Sequence, residues 1–193
     1  MTAVRLAIFV GGKSTRMGSP KGLLPVPGGD RLILDHLAQC GSDAGLDPFL
    51  IGDATPYQNH AQACPRVDDD PMGAGPLGGL RGALVFARSQ GARQMLAVAC
   101  DMPYVTREAL ARLARHESRA PVVAARRGPD APWESMFARY DATDVLPVLD
   151  EALAAGQRSF QRLLSRLEVD ALPMDNAVFR ALDDWDTPDD VVP

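Results

Sequence analysis

The stretch "RQMLAVAC", Arg93 to Cys100, is apolar at every position from Met95 onward. Such a strand has no face to give to water. It belongs inside a sheet covered on both sides, the environment of parallel strands in α/β proteins. "RLAIFV", Arg5 to Val10, reads the same way, and "PFLIG", "CPRV", "APVVAAR" and "EVDALPM" supply shorter strands. Between them lie stretches with apolar residues at helical spacing. "RLILDHLAQCGSDAG" ends in Gly45. "GPLGGLRGALVFARSQG" has Pro76 suited to a first helical turn and stops at Gly91. "TREALARLARHES" is amphipathic behind a Thr-x-Glu start. "DATDVLPVLDEALAAG" and "SFQRLLSRL" are two further helices, the first expected to kink or divide at Pro147, and "TPDDVV" a closing helical turn.

Strand, helix and strand in repeated order predict an α/β fold: a single Rossmann-like domain over residues 1–193, with a mostly parallel twisted sheet and helices on both faces. In such sheets ligands bind beyond the carboxyl ends of the strands. Three polar landmarks fall there: the loop after Val10, Asp68 after Val67, and Asp101 after Cys100. "RRGPDAPWES", polar and rich in proline, is expected to be a flexible loop.

Charge and composition remove several function classes. A net charge of -5 argues against a general nucleic-acid binder, while leaving room for a local basic pocket. No apolar run reaches the roughly 18 residues of a membrane helix. "MTAVRLAIFVGG" reads as a first strand and not as a signal peptide. Cys40, Cys64 and Cys100 are odd in number and widely spaced, with no zinc or disulfide pattern, so a reducing cytoplasm is expected.

The chemistry concentrates after the first strand. "VGGKSTRMGSPKG", Val10 to Gly22, holds glycines, hydroxyls and the cations Lys13, Arg16 and Lys21. It is not a P-loop, because Ala7 stands where the first glycine of that motif belongs. "GAGPLG" matches GxGxxG but does not directly follow a strand, and GxSxG is absent. Gly11 and Gly12 let the backbone approach a ligand and aim its amides inward, Arg16 offers a fork of donors for phosphate oxygens, and Lys21 a compact charge. Together they suit a triphosphate; the bland alternative is a solvated surface loop.

Asp101, directly behind an apolar strand, is costly unless paired or metal-bound, which makes it a Mg²⁺ candidate or a turn residue before Pro103. A phosphatase of the aspartyl-nucleophile type would want Asp where Pro103 stands. Asp68 to Asp70 admit three readings: a solvated acidic turn, an Asp-x-Asp metal clamp of nucleotide-sugar glycosyltransferases, or a single carboxylate on a nucleoside. Trp185 is expected to pack, Asp186 to cap a helix, and Asp184 is left open as a second metal ligand.

"FVGGKSTRMGSPKGLLPV" resembles the signature loop of nucleoside-triphosphate transferases, close to L-A-G-G-x-S-x-R-M-G-x-D-K. "DDDPMGAGPLGGLRGAL", "CDMPYV" and "FRALDDWDTPDDV" are similar to blocks of one branch, the molybdenum cofactor guanylyltransferases. The resemblance spans Leu6 to Val191 and implies transfer of GMP from GTP to the terminal phosphate of molybdopterin, with release of pyrophosphate. It implies guanine contacts through main-chain groups of Phe9, Val10 and Gly11, phosphates on Arg16 and Lys21, a nucleoside contact at Asp68, and Mg²⁺ on Asp101. Molybdopterin-synthesis or molybdoenzyme-maturation proteins are the implied partners. Val10 replaces the family's usual Ala and Pro20 its Asp, Gly52 and Asp53 stand where Asn is common, and "PWESMFARY" is an unusual form of the block Pro132 to Tyr140 that bears on the pterin. Asp184 and Asp186 replace two Asn residues, and Asp-x-Asp-Thr-Pro is common in relatives that use CTP. A cytidylyl- or other nucleotidyltransferase of the same fold and a nucleotide-sugar glycosyltransferase are the alternatives.

Overall fold

The computed structural model describes residues 4–11 and 20–185. Within them, strands β1 (Val4–Phe9), β2 (Asp47–Ile51), β3 (Arg66–Val67), β4 (Gln94–Ala99), β5 (Val122–Ala124), β6 (Phe137–Asp141) and β7 (Val169–Ala171) form one sheet. The order across it is β3-β2-β1-β4-β6-β5-β7. Helices α1 (Ile33–Asp43), α2 (Pro76–Ser89), α3 (Arg107–Arg115), α4 (Ala142–Ala154), α5 (Phe160–Leu164) and α6 (Asn176–Ala181) cover it.

Alternation along the strands sorts the side chains between two cores. Leu6, Ile8 and Val10 of the first strand, with Leu96 and Val98 of β4, pack against Leu34 and Leu37 of α1, Leu110 and Leu113 of α3 and Val178 of α6. Their neighbours Ala7, Phe9, Met95 and Ala97 turn the other way, onto Leu77, Leu80 and Leu84 of α2, Leu146 and Leu149 of α4, and Leu163 of α5. Helices thus lie on both faces, as the apolar runs require. Each fully buried Leu or Ile contributes about 1.5–3 kcal/mol.

The pairs β1–β2, β1–β4, β2–β3 and β5–β7 are parallel, whereas β6 runs antiparallel to both β4 and β5. This sixth strand is not evident from "FARYD", because Arg139 and Asp141 break its apolar pattern. Both are nonetheless buried, at 4% and 6% exposure. Arg139 donates to the carbonyls of Leu113, Ala114 and His116 at 3.3, 3.0 and 2.7 Å, satisfying the C-terminal end of α3. Asp141 caps α4, accepting from the Thr143 amide at 2.9 Å and from Arg93 at 2.6 Å. Pro147 sits inside α4 without ending it. The i−4 carbonyl it leaves without a helical donor is that of Thr143, an exposed residue. The helix α6 was too short to show a period in the sequence; the Asp175 side chain caps it. "TPDDVV" lies outside the described residues, and "RRGPDAPWES" is irregular between β5 and β6.

Register positions the site. Phe9 stands beside Ile51 and Ala99, and Ile51 beside Val67, so the parallel strands β3, β2, β1 and β4 end level. The chain leaves β1 toward β2 and β3, then returns to place β4 on the other side of β1. The crevice at such a reversal is where doubly wound sheets bind ligands.

Candidate functional site

A cleft of about 400 Å³ opens at this reversal, lined by Phe9, Val10 and Gly11 after β1, by Ala99, Cys100 and Asp101 after β4, and by Lys21, Asp69, Gly79 and Met136 around them. It sets apolar Phe9, Ile51 and Met136 beside polar Lys21, Asp69 and Asp101, the usual composition of a small-molecule site.

One wall is a cation and a carboxylate in contact. Lys21 donates to Asp101 Oδ2 at 2.9 Å, with side-chain exposures of only 13% and 22%. Lys21 opens a single helical turn, Lys21–Leu23, that is wedged against Tyr57; a Cβ on Gly22 would stand 2.9 Å from that ring. The Tyr57 hydroxyl in turn meets the Cys100 sulfur at 3.9 Å. Packing from Gly22 through Tyr57 to Cys100 therefore delivers Lys21 to Asp101. Burial, and then the Asp101 charge, push the Cys100 thiol up to about 11, so it is neutral at pH 7 and no nucleophile.

The other wall is the turn between β3 and α2. Gly75 begins the helix at φ 68°, ψ −156°, a region essentially reserved for glycine. The helix then rests on the acidic turn through residues without side chains. A Cβ on Gly78 would lie 2.6 Å from the Pro71 carbonyl, and one on Gly82 2.5 Å from that of Asp68. A Cβ on Gly79 would meet both the Phe9 ring at 3.1 Å and Asp69 Oδ1 at 3.2 Å. Asp69 is consequently pressed between helix and strand floor. Burial raises its carboxyl above the ordinary range, and the neighbouring Asp68 charge adds to the rise. No donor among the described residues is hydrogen-bonded to it.

Of the residues expected from the sequence, Phe9, Val10, Gly11, Lys21 and Asp101 meet in this cleft. The Val10 amide is already given to the Ile51 carbonyl at 3.0 Å, and the Phe9 carbonyl accepts from Cys100 at 3.0 Å. Further main-chain contacts at Val10 and Gly11 would come through the Val10 carbonyl and the Gly11 amide. Gly12 and Arg16, expected at the phosphates, lie outside the described residues, as does Asp186. Asp68 lines a neighbouring depression with Gly52, Asp53 and Arg66, and Asp70 is held by Arg81, which also reaches Asp150 at 2.6 Å. Asp69, and neither of its neighbours, faces the cleft. Trp185 is buried, and its amide donates to the Asp101 carbonyl at 2.9 Å, bringing Asp184 beside the end of β4.

Residues 6–171 match the profile of the family described as "MobA-like NTP transferase domain". The chain belongs to that family. It is 31% identical over 163 residues to a protein of Mycobacterium bovis named probable molybdenum cofactor guanylyltransferase, covering 81% of this chain and 77% of that one. A protein of Opitutus terrae with the same name is 29% identical over 197 residues, 98% of this chain and 93% of its own length. The solved structure of molybdopterin-guanine dinucleotide biosynthesis protein A from Archaeoglobus fulgidus superposes with a TM-score of 0.76 at 21% identity, over 96% of this chain and 94% of that one.

Within this MobA-like, nucleotidyl-transferring fold the donor set suits a particular metal. Among the described residues no three His, Cys, Asp or Glu side chains cluster as a cage. Asp101 offers one hard oxygen donor, already beside a cation. That fits Mg²⁺, which takes one or two carboxylates and completes its shell with water and substrate phosphates. Two contributors were missed in the sequence. Asp69 lies two residues beyond Val67, so continuing the strand's alternation by one step puts it on the face of Phe9 and α2. Arg158 comes from the α4–α5 link, and its Cδ lies 3.7 Å from where a Cβ would stand on Gly75, a residue that lines the cleft. Nothing in its local sequence marks that position.

Proposed function

We propose that this MobA-like nucleotidyltransferase transfers GMP from GTP to the terminal phosphate of molybdopterin, giving the guanine dinucleotide form of the cofactor and pyrophosphate. The observation that carries this reading is the Lys21–Asp101 pair in the switch-point cleft, with Asp69 facing the same space. A cation for phosphates, a carboxylate for a hard metal and a second carboxylate, with no donor on it among the described residues, for nucleoside donors are the parts such a transfer needs. The names of the relatives support guanine and molybdopterin as the substrates.

The acceptor phosphate is an anion at neutral pH and attacks the α-phosphorus of GTP directly; the bond to the β-bridging oxygen breaks, and no general base is required. The difficulty is bringing anions together. Lys21, with Arg16 of the signature loop, offsets charge on the triphosphate, and the N-terminal end of α2 adds its partial positive charge beside Gly75. Asp101 would hold Mg²⁺, which when bound neutralises the phosphates and the departing pyrophosphate. Asp69 accepts from the ribose or base, with Phe9, Val10 and Gly11 against the guanine. We assign the acceptor to the side of Met136, which lines the cleft at the end of the segment where Arg126 stacks 4.5 Å over Trp133, with Arg158 beside Gly75. The reading places the enzyme in the cytoplasm, with molybdopterin-synthesis or molybdoenzyme-maturation proteins as partners.

Transfer of CMP is the second reading, favoured by Asp184 and Asp186 before Thr187 and Pro188. The glycosyltransferase reading loses its clamp, because Asp70 is engaged by Arg81 and Asp68 faces the neighbouring depression. Incubation with molybdate-loaded molybdopterin, Mg²⁺ and an equal mixture of GTP and CTP, with mass analysis of the pterin product, separates the two. The guanine dinucleotide is expected to dominate; a cytosine dinucleotide would move the substrate and keep the fold and the cleft.

A further inference from the structure

We propose that Lys21 and the divalent cation compete for Asp101, so that metal enters this cleft together with the nucleotide and not before it. The proposal rests on the reading of Asp101 as the metal carboxylate. The Lys21 ammonium sits 2.9 Å from Asp101 Oδ2, and both side chains are largely shielded from water. It stands where a cation bound to that oxygen would stand. A second cation cannot share the position, since two positive charges at that distance repel strongly where water is scarce.

Among the described residues the protein gives the metal little with which to win. Asp101 is not part of any three-ligand cluster among the described residues. Entry of a triphosphate changes both sides of the contest. Its oxygens offer Lys21 another anion, and the four-carbon stem of lysine lets the ammonium swing while the turn stays wedged on Tyr57 through Gly22. The same oxygens supply the ligands that Asp101 cannot. Nucleotide and metal thus favour each other's binding through one ion pair, a coupling that holds in both directions. A metal-free cleft with Asp101 paired to Lys21 also avoids leaving a part-buried carboxylate uncompensated between turnovers.

The test is Mn²⁺ binding to the full chain, read from the electron paramagnetic resonance signal of free Mn²⁺. It is run with and without the α,β-methylene analogue of GTP, on wild type, Lys21→Gln, Lys21→Met, Lys21→Arg and Asp101→Asn, each shown to be folded by circular dichroism. Wild type and Lys21→Arg are expected to bind Mn²⁺ weakly alone and at least about tenfold tighter with the analogue. Lys21→Gln and Lys21→Met are expected to bind it about three- to tenfold tighter than wild type without nucleotide, the range set by one partly buried ion pair. Asp101→Asn should lose the site in both conditions. If neither neutral variant binds Mn²⁺ more tightly than wild type while Asp101→Asn still weakens it, the competition is wrong and the metal assignment stands. If Asp101→Asn changes nothing even with the analogue, the metal assignment falls and takes the competition with it.

Discussion

Asp101 and Asp69 reach the same cleft from strands on either flank of β1, and the protein treats them differently. Asp101 follows an apolar strand and is met by Lys21 at 2.9 Å. Asp69 is carried by a turn pressed under glycines of α2, its carboxyl raised by burial and by Asp68. One carboxylate has its cation built in; the other faces the cleft without a donor hydrogen-bonded to it among the described residues. Under the proposed function, the difference separates the two halves of a nucleotide. The paired side suits charged phosphates and a hard metal, where one cation can be exchanged for another. The Asp69 side suits neutral N–H and O–H donors, and an acceptor left without one is what makes a ligand lacking them bind poorly.

The largest effect should come from Asp101→Asn, which keeps the shape and removes the charge. Turnover should fall by more than about a thousandfold, with the fold retained by circular dichroism. Lys21→Ala should cost about 2–4 kcal/mol in kcat/KM, the loss of one preorganised electrostatic contact. Undiminished turnover in that variant would break the paired half of the comparison. Asp69→Asn should weaken nucleotide binding by roughly tenfold, seen by calorimetry, since a charged acceptor becomes a neutral amide. The same variant should melt higher than wild type at neutral pH. The sign follows from the raised carboxyl: the native state holds its proton more tightly than the unfolded chain, so wild-type stability falls as pH rises from the ordinary carboxylate range through the raised value. Asn does not titrate and escapes that loss, while below the ordinary range the two proteins should melt alike. An Asp69→Asn that melts lower at neutral pH would mean the carboxylate is paired after all. The smallest effect is expected from Arg81→Ala. Arg81 ties Asp70 to Asp150 at the surface, and its loss should loosen the turn, raising KM for nucleotide a few-fold with kcat near wild type.

The layered architecture and one wall of the cleft were legible in the residues. Unbroken apolar runs in β1 and β4 demand helices on both faces, and Asp101 after such a run has to be partnered. What escaped depended on contacts distant in sequence. β6 was hidden because Arg139 and Asp141 look like surface residues until the open carbonyls of α3 and the N-terminus of α4 claim them. Asp69 was hidden between two identical neighbours, and only the alternation from Val67 together with the close seat of α2 decides which of the three faces the cleft. Arg158 arrives beside Gly75 from a link far along the chain. The pairing of Lys21 with Asp101 spans 80 residues, and neither local sequence shows that the expected phosphate cation and the expected metal carboxylate share one contact.

The most direct measurement is pyrophosphate release by the purified protein with Mg²⁺, molybdate-loaded molybdopterin and each of GTP, CTP, ATP and UTP in turn, for wild type and Asp101→Asn. The account predicts pterin-dependent release with GTP well above the other three, lost in the Asp101→Asn protein. No release with any nucleotide from protein that binds one, or release undiminished by Asp101→Asn, would contradict it.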